Sequence, residues 1–199
     1  YTFFQRSGRA QMYTNILASL PEFASCKKML DLGCASGING IAIVSAHPTM
    51  KGVSFDHPRT VEVVREMIRR YGMEGRMEAI GGNYAEDSVG EAYDLILASD
   101  TLYYTREEID PIMTKLHDAL NPGGVMFTIH PCLVSERTKP GNLVLTNLFA
   151  ELKGEDMVGL LDQSFLADAM LRAGFRSVRS KTIDTDWGRE DIDIGRKQA

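Results

Sequence analysis

The sequence predicts an α/β fold, namely a Rossmann-like, mostly parallel seven-stranded sheet with helices on both faces and a terminal antiparallel hairpin. Two observations support this prediction. Short apolar runs alternate along the chain with segments whose apolar residues recur at helical spacing. The last two apolar runs have no helical segment between them, which is typical of a hairpin at one edge of a sheet.

The N-terminal half contains the first four candidate strands. Apolar residues at helical spacing predict a helix over Gln11–Leu20, which Pro21 ends. A second helix is expected around Ile41–Val44, and Pro58 suits the first turn of a third that runs to Tyr71. The predicted strands are Lys28–Leu32, a run that ends with Val53–Phe55, Arg76–Ile80 and Tyr93–Ala98.

The C-terminal half continues this alternation. The apolar stripe over Ile109–Leu120 predicts a helix, and Val125–Ile129 predicts the fifth strand. Ser164 is suited to cap a helix that runs to Ala173, with Gly174 just beyond its end. The two hairpin strands are expected at Phe175–Ser180 and Asp191–Gly195.

The composition is that of one ordinary globular domain over residues 1–199. The 199 residues are 44% hydrophobic and 25% charged. The net charge of −5 argues against a nucleic-acid partner, and no apolar run approaches the roughly 18 residues that a membrane span needs. Three cysteines without zinc-ligand spacing predict reduced thiols, no metal site and a cytoplasmic location.

A glycine-bearing turn, Asp31-Leu32-Gly33-Cys34-Ala35-Ser36-Gly37, joins the first strand to its helix. Its small residues let the backbone bend tightly and approach a ligand, although an ordinary strand-to-helix turn needs the same residues. Asp31 would repel a pyrophosphate and attract an ammonium or sulfonium group. Asp56, at the end of the second strand, suits both hydroxyls of a ribose. Together these residues favour a cationic, phosphate-free nucleoside.

This turn resembles the first motif of class I S-adenosylmethionine-dependent methyltransferases, and Asp56 falls where that family keeps its ribose-binding acid. Four further segments are similar to the small-molecule O-methyltransferases that carry a dimerising domain upstream. These segments are Phe55-Asp56-His57-Pro58, Gly81-Gly82-Asn83-Tyr84, Asn121-Pro122-Gly123-Gly124 and Ala173-Gly174-Phe175.

The resemblance implies S-adenosylmethionine as the cofactor and a small molecule as the methyl acceptor. It assigns the cofactor site to ten residues: Asp31, Gly33, Cys34, Ala35, Gly37, Asp56, His57, Asn83, Tyr84 and Ser99. Asn83 stands where the family offers an acid to the adenine amino group. Its carbonyl can accept that hydrogen bond, or it can stabilise its own turn. Tyr84 would give the ring a flat face.

The catalytic base is where the sequence departs from the family. The O-methyltransferases keep a histidine after the fourth strand, and here Tyr103 takes its place. A tyrosine is a poor base at pH 7 because its ordinary pKa is about 10. The remaining candidates are Asp100 at the end of the fourth strand, His130 at the end of the fifth, and His57. Alternatively, no base is needed because the acceptor is already nucleophilic, such as a thiolate, an amine or a carbanion.

Two other functions remain open. A non-catalytic domain that binds S-adenosylmethionine would explain the missing histidine. A nicotinamide-dependent oxidoreductase would explain the glycine turn and Asp56, but not Asp31.

Assembly and the acceptor pocket depend on segments outside these motifs. The chain begins at Tyr1 rather than methionine, so we expect a longer protein that is a homodimer through its upstream domain. The helix over Gln11–Leu20 would then retain an exposed apolar face. Phe3, Phe4 and Tyr13 would help to close the pocket, or would belong to a face left exposed by the upstream domain. We expect the segment Cys132–Met157 to cover the acceptor.

Overall fold

In the computed structural model, strands and helices alternate as predicted, and the structure describes residues 8–153, 161–185 and 188–199. The strands are β1 (Lys28–Leu32), β2 (Lys51–Asp56), β3 (Met77–Gly81), β4 (Tyr93–Ser99), β5 (Leu120–Leu133), β6 (Leu161–Asp162), β7 (Arg176–Thr185) and β8 (Gly188–Arg196). The helices are α1 (Ala10–Ala18), α2 (Ile38–Ala46), α3 (Pro58–Arg70), α4 (Ile109–Ala119), α5 (Gly141–Lys153) and α6 (Phe165–Arg172).

The strands form one sheet in the order β3-β2-β1-β4-β5-β8-β7, and the short β6 lies beside β5 outside this path. Strands β1 to β5 pair in parallel, whereas β8 runs antiparallel to both β5 and β7. The predicted fold class is therefore confirmed, with seven strands along the path. The parallel order places the carboxyl ends of β1, β2 and β4 side by side, where open α/β sheets bind ligands.

Two apolar clusters hold the helices to opposite faces of the sheet. One cluster packs α1, α2 and α3 on the first face, with Leu17, Ile43 and Val64 fully buried. The other packs α4 and α6 on the second face, with Leu116 and Met170 fully buried. Both faces are covered, which explains the nearly unbroken apolar runs of the central strands.

Three details differ from the sequence-based expectations. The apolar face of α1 is not exposed, because the helix packs against α2 and buries Tyr13 and Leu17. Ser164 adopts a left-handed backbone (φ +65°) and makes no side-chain cap at the start of α6. Strand β5 is longer than predicted at both ends. Within the described ranges, no helix is both long enough and apolar enough to cross a bilayer.

Candidate functional site

A cavity of about 560 Å³ opens at the carboxyl ends of β1, β2 and β4. This volume lies within the range of small-molecule sites. The lining residues come from five places in the chain, from the segment before α1 to the turn after β4. They are Arg9, Tyr13, Gly33, Ala35, Asn39, Asp56, His57, Thr60, Gly82, Asn83, Tyr84, Ala85, Glu86, Ser99, Asp100, Thr101, Tyr104, Thr105 and Glu108.

The turn after β1 brings backbone directly to the cavity wall. Gly33 has φ +62°, and a Cβ there would lie 2.0 Å from Oγ1 of Thr101, so a side chain would displace the opposite wall. Ala35 also has a left-handed backbone, with φ +51°. Its N–H donates to Oδ2 of Asp56 at 2.7 Å, and this bond holds the turn against the end of β2.

Asp56 is the carboxylate at the centre of this end of the cavity. Its Oδ2 is bonded to Ala35, and its Oδ1 accepts the backbone N–H of His57 at 2.7 Å. Two backbone bonds therefore fix the orientation of the carboxylate, while its remaining lone pairs face the cavity. His57 lies beside it on the same wall. This geometry fits a ligand that offers a pair of hydroxyl donors.

Three of the residues of the turn that were predicted to bind the cofactor lie outside the cavity wall. Asp31 does not point its carboxylate into the cavity as expected, because Oδ2 accepts the backbone N–H of Gly40 at 2.9 Å inside α2. Burial raises the pKa of Asp31 to about 7. The Cys34 side chain packs into the apolar cluster on the α1–α3 face. Gly37 has φ +75° and lets α2 start close to α3, since a Cβ there would lie 2.8 Å from Val64.

The loop after β3 supplies a third wall, where Asn83 both lines the cavity and supports its own turn. Its Oδ1 accepts the N–H of Ala85 at 3.1 Å. The Tyr84 hydroxyl donates to the backbone oxygen of Thr101 at 2.9 Å, which places the ring along the wall. The two alternatives for Asn83 are therefore compatible, because a carbonyl oxygen has two lone pairs.

The end of β4 supplies the polar side chains opposite this loop. Ser99 accepts a hydrogen bond from Nδ2 of Asn39 at 3.2 Å. The next residue, Asp100, has a left-handed backbone (φ +52°), and its Oδ2 accepts a hydrogen bond from Nη1 of Arg9 at 2.7 Å. Burial raises the pKa of Asp100, and the Arg9 guanidinium opposes that shift. Tyr13, fully buried, lines the same part of the cavity.

Comparison with known proteins identifies the family to which the chain belongs. The profile of a family described as O-methyltransferase domain matches residues 6–158. The chain belongs to this family. Residues 6–158 include the glycine turn, Asp56, the Asn83 loop and the whole turn after β4.

One curated relative and two solved structures are also similar to the chain. An N,N-dimethyltransferase, OxyT, from Streptomyces rimosus is 25% identical over 174 residues, which cover 86% of this chain and 50% of OxyT. An O-methyltransferase family protein from Burkholderia thailandensis superposes with a TM-score of 0.81 at 22% identity, covering 98% of this chain and 59% of that one. Human N-acetylserotonin methyltransferase, solved in complex with SAM, gives 0.71 at 20% identity, covering 98% and 58%. The chain thus spans about half the length of these three proteins.

Tyr103, which stands in the sequence where the family keeps its histidine, is not among the residues that line the cavity. Tyr103 is half-buried and packs against the apolar cluster around α4, while its neighbour Tyr104 lines the cavity. The two rings lie 4.5 Å apart. Tyr103 therefore does not occupy the position in the wall that the sequence alignment predicted.

His130 is also away from the cavity, which corrects the expectation that it ends β5 and faces the cleft. Strand β5 continues to Leu133, so His130 lies inside the strand, opposite Asp191 of β8. The alternation of side chains puts it on the face covered by α6. Its two ring nitrogens have no hydrogen-bond partner among the described residues, and burial lowers its pKa to about 4.

Several wall residues were not predicted from the sequence. Thr101, Tyr104, Thr105 and Glu108 directly follow β4, and applying the strand-end rule over a longer stretch would have found them. Arg9 offered no such signal. The aromatic residues Phe3 and Phe4, and the end of the segment Cys132–Met157, lie outside the described residues. Among the residues that the structure describes, no cluster of histidine, cysteine or acidic side chains could bind a metal ion.

Proposed function

We propose that this chain binds S-adenosylmethionine and transfers its methyl group to a hydroxyl of a small molecule. One observation carries the proposal: the Gly33–Ala35 turn, the fixed Asp56 carboxylate and the Asn83–Tyr84 loop line one cavity. Family membership supports the same chemistry, as does the SAM bound in the human structural neighbour.

The cavity residues fit the parts of this cofactor. The close backbone at Gly33 and Ala35 would receive the methionine end, with Ser99 across from it. Asp56 would accept hydrogen bonds from the ribose hydroxyls, with His57 beside it. Asn83 and Tyr84 would frame the adenine. The roles of Asp31, Cys34 and Gly37 would be indirect, since they shape the turn from behind.

Asp100 is the best-placed group to take the acceptor's proton. When bound, S-adenosylmethionine supplies a methyl group on a sulfonium, whose sulfur keeps the S–C electron pair as the acceptor oxygen bonds to the carbon. The acceptor hydroxyl must lose its proton as that bond forms, and Asp100 lines the cavity directly after the end of β4. Burial raises the pKa of Asp100, which makes it a stronger base than an exposed carboxylate.

Isothermal titration calorimetry tests the proposal directly. Both S-adenosylmethionine and its demethylated product should bind, and Asp56→Ala should weaken binding by about 1–3 kcal/mol because the ribose hydroxyls lose a charged partner. Asp118→Ala, which removes an exposed carboxylate of α4 outside the cavity, is the matched control. The proposal is wrong if neither molecule binds below millimolar concentration.

A non-catalytic domain that binds the same cofactor is the second candidate. The observation that favours it is the position of Tyr103 and His130, neither of which lines the cavity. Cofactor binding without turnover across phenols, thiols, amines and carbon acids would support this candidate, whereas transfer to any of them would exclude it.

Homodimerisation, a cytoplasmic location and the absence of nucleic-acid or membrane partners stay predictions from the sequence. For dimerisation, the structure offers a different surface from the one expected on α1. Four exposed apolar residues form a stripe at helical spacing on α5, namely Leu145, Leu148, Phe149 and Leu152. Sedimentation velocity of the longer protein should show a dimer at micromolar concentration, with weaker association of the present chain alone, and Phe149→Glu should reduce that weaker association if this stripe contributes. A monomer of the longer protein at micromolar concentration would contradict the prediction.

A further inference from the structure

A single arginine joins two acidic side chains that are far apart in the sequence. Arg9 lies immediately before α1, and its Nη1 donates to Oδ2 of Asp100 at 2.7 Å. Its Nη2 forms an ion pair with Oε1 of Glu190, on β8. The side chains of Arg9, Asp100 and Glu190 are 12%, 18% and 1% exposed, so water screens these charges only weakly.

Two features show that the position of Asp100 is imposed by its surroundings. Its φ of +52° is a left-handed conformation that costs free energy for a residue with a side chain. Its Oδ1 has no hydrogen-bond partner among the described residues, although the residue lines the cavity. A strained backbone persists only where neighbouring contacts hold it, and the Arg9 bond is the contact on its side chain that the structure shows.

Glu190 cannot act on a ligand directly. It is 1% exposed and does not line the cavity, and its backbone is paired with Pro131 inside the sheet. Its observed ionic contact is with Arg9. One guanidinium therefore serves two buried carboxylates, and the group as a whole carries one negative charge more than a simple ion pair. The negative charge of Glu190 therefore offsets part of the stabilisation that Arg9 gives to the ionised form of Asp100.

We propose that Arg9 and Glu190 are positioning residues for Asp100. Arg9 holds the carboxylate in place at the cavity wall and favours its charged form. Glu190 draws on the same guanidinium and so leaves Asp100 more basic than a simple pair with Arg9 would. The inference rests on the proposed function, in which Asp100 takes the proton of the methyl acceptor.

Other ionisable groups line the same cavity as Asp100. Tyr13 approaches from α1, and Asp56 of β2 lies on the same cavity, as do Tyr104 and Glu108 after β4. Of these, the Asp100 charge acts on the Tyr13 hydroxyl and raises its pKa together with burial. Burial is the largest influence on the pKa of Asp100, followed by the opposing charge of Arg9. A variant of Glu190, which does not line the cavity, therefore changes the charge around Asp100 without changing the cavity wall, whereas a variant of Arg9 changes both.

The test is a carbon-13 NMR titration of the aspartate carboxyl groups, in which Asp100→Asn identifies the Asp100 signal. Glu190→Gln should lower the pKa of Asp100 by about one unit, because Arg9 then serves one carboxylate. Arg9→Gln should raise it by at least about one unit, and Arg9→Lys should restore part of the difference. Asp184→Asn is the matched control, since Asp184 is an exposed carboxylate on the same hairpin that pairs with Arg189.

A second readout separates positioning from a purely structural role. The acidic limb of the pH profile for kcat should move in the same direction as the NMR pKa in each variant, while KM for S-adenosylmethionine stays within about twofold. If Arg9→Gln does not fold, Glu190→Gln decides the question alone, because glutamine keeps the side-chain length and an oxygen for Arg9.

Three outcomes would overturn the inference. In the first, the pKa of Asp100 stays unchanged in Glu190→Gln. In the second, Glu190→Gln and Arg9→Gln shift that pKa in the same direction. In the third, the acidic limb of the pH profile for kcat does not move with the pKa of Asp100. Failure of the proposed function is distinguishable from all three. It would show as absence of S-adenosylmethionine binding by calorimetry, which does not depend on how Asp100 titrates.

Discussion

Glu190 and Asp191 are neighbours on β8, yet their side chains point to opposite faces of the sheet and the polar groups around them are accommodated differently. On the first face, Glu190 and Asp100 share the Arg9 guanidinium. On the second face, Asp191 accepts hydrogen bonds from the backbone N–H of Ser164 at 2.6 Å and from Oγ1 of Thr182 at 2.9 Å.

The second face carries further polar groups that are just as deeply buried. Asp193 accepts a hydrogen bond from Oγ1 of Thr128 at 3.3 Å, and His130 lies on the same face of β5. Burial raises the pKa of Asp193 to about 7 and lowers that of His130 to about 4. These two groups therefore shift towards their neutral forms with no arginine or lysine among their observed hydrogen-bond partners, whereas on the first face Arg9 opposes the rise that burial causes in the pKa of Asp100.

This difference follows the position of the cavity. An arginine pairs with buried carboxylates where β4 and the segment before α1 meet the cavity, and its charge favours the ionised form that a carboxylate needs before it can accept a proton. Away from the cavity, a shift towards the neutral form reduces the cost of burial. The buried ion pairs thus lie on the cavity side of the sheet, and hydrogen bonds without an observed arginine or lysine partner lie on the other side.

Among the substitutions that test this difference between the two faces, Arg9→Met should cause the largest loss of stability. The substitution leaves Asp100 and Glu190 buried without their cation, and breaking a buried pair in this way costs about 3–5 kcal/mol. The free energy of unfolding, measured by denaturant titration at pH 7, should fall by that amount. The loss should be smaller at pH 5, because either carboxylate can then take up a proton and lose its charge.

The triple variant Arg9→Met, Asp100→Asn, Glu190→Gln is the matched control. It removes both carboxylates together with the cation, so most of the lost stability should return. An Arg9→Met protein that is as stable as the wild type at pH 7 would show that the first face does not depend on charge pairing.

Sequence patterns predicted the elements that local physics determines. The buried run Tyr93–Ser99, the Pro58 helix start and the glycine turn before α2 each depend on neighbouring residues, and each was located within a few positions. Ser164 makes no side-chain cap, and the observed contacts of its N–H and hydroxyl are with distant residues: the backbone N–H donates to Asp191, and the hydroxyl lies 3.4 Å from the hydroxyl of Ser180. The apolar face of α1 was misjudged for a similar reason, since its partner α2 lies in another part of the chain.

The cavity residues also fall into a set that sequence patterns predicted and a set that they did not. Its cofactor end consists of turns that directly follow strands, so motif spacing pointed to Gly33, Asp56 and Asn83. Its other end depends on Arg9, which reaches Asp100 across 91 positions and left no pattern in the sequence. His130 was misplaced because a strand's end cannot be read to within a few residues, and one position along a strand changes the face.

A smaller effect should appear on the second face, in the pH dependence of stability. The pKa of His130 is lowered to about 4 in the folded protein, against an ordinary value near 6.5 in the unfolded chain. The unfolded chain therefore binds a proton first as the pH falls, and stability decreases from about pH 6.5 down to about pH 4. Between pH 8 and pH 5 the loss should be about 2 kcal/mol.

His130→Gln should remove this part of the pH dependence, because glutamine does not titrate. The measurement is the free energy of unfolding of both proteins at pH 8 and pH 5. Cys132→Ala, also buried on β5, is the control. Burial raises the pKa of its thiol to about 12, so the thiol stays uncharged at both pH values and its removal should cost the same at each. Equal pH slopes for the wild type and His130→Gln would mean that folding does not lower the pKa of His130, and that the charge of a neighbouring carboxylate such as Asp191 offsets the effect of burial on the second face.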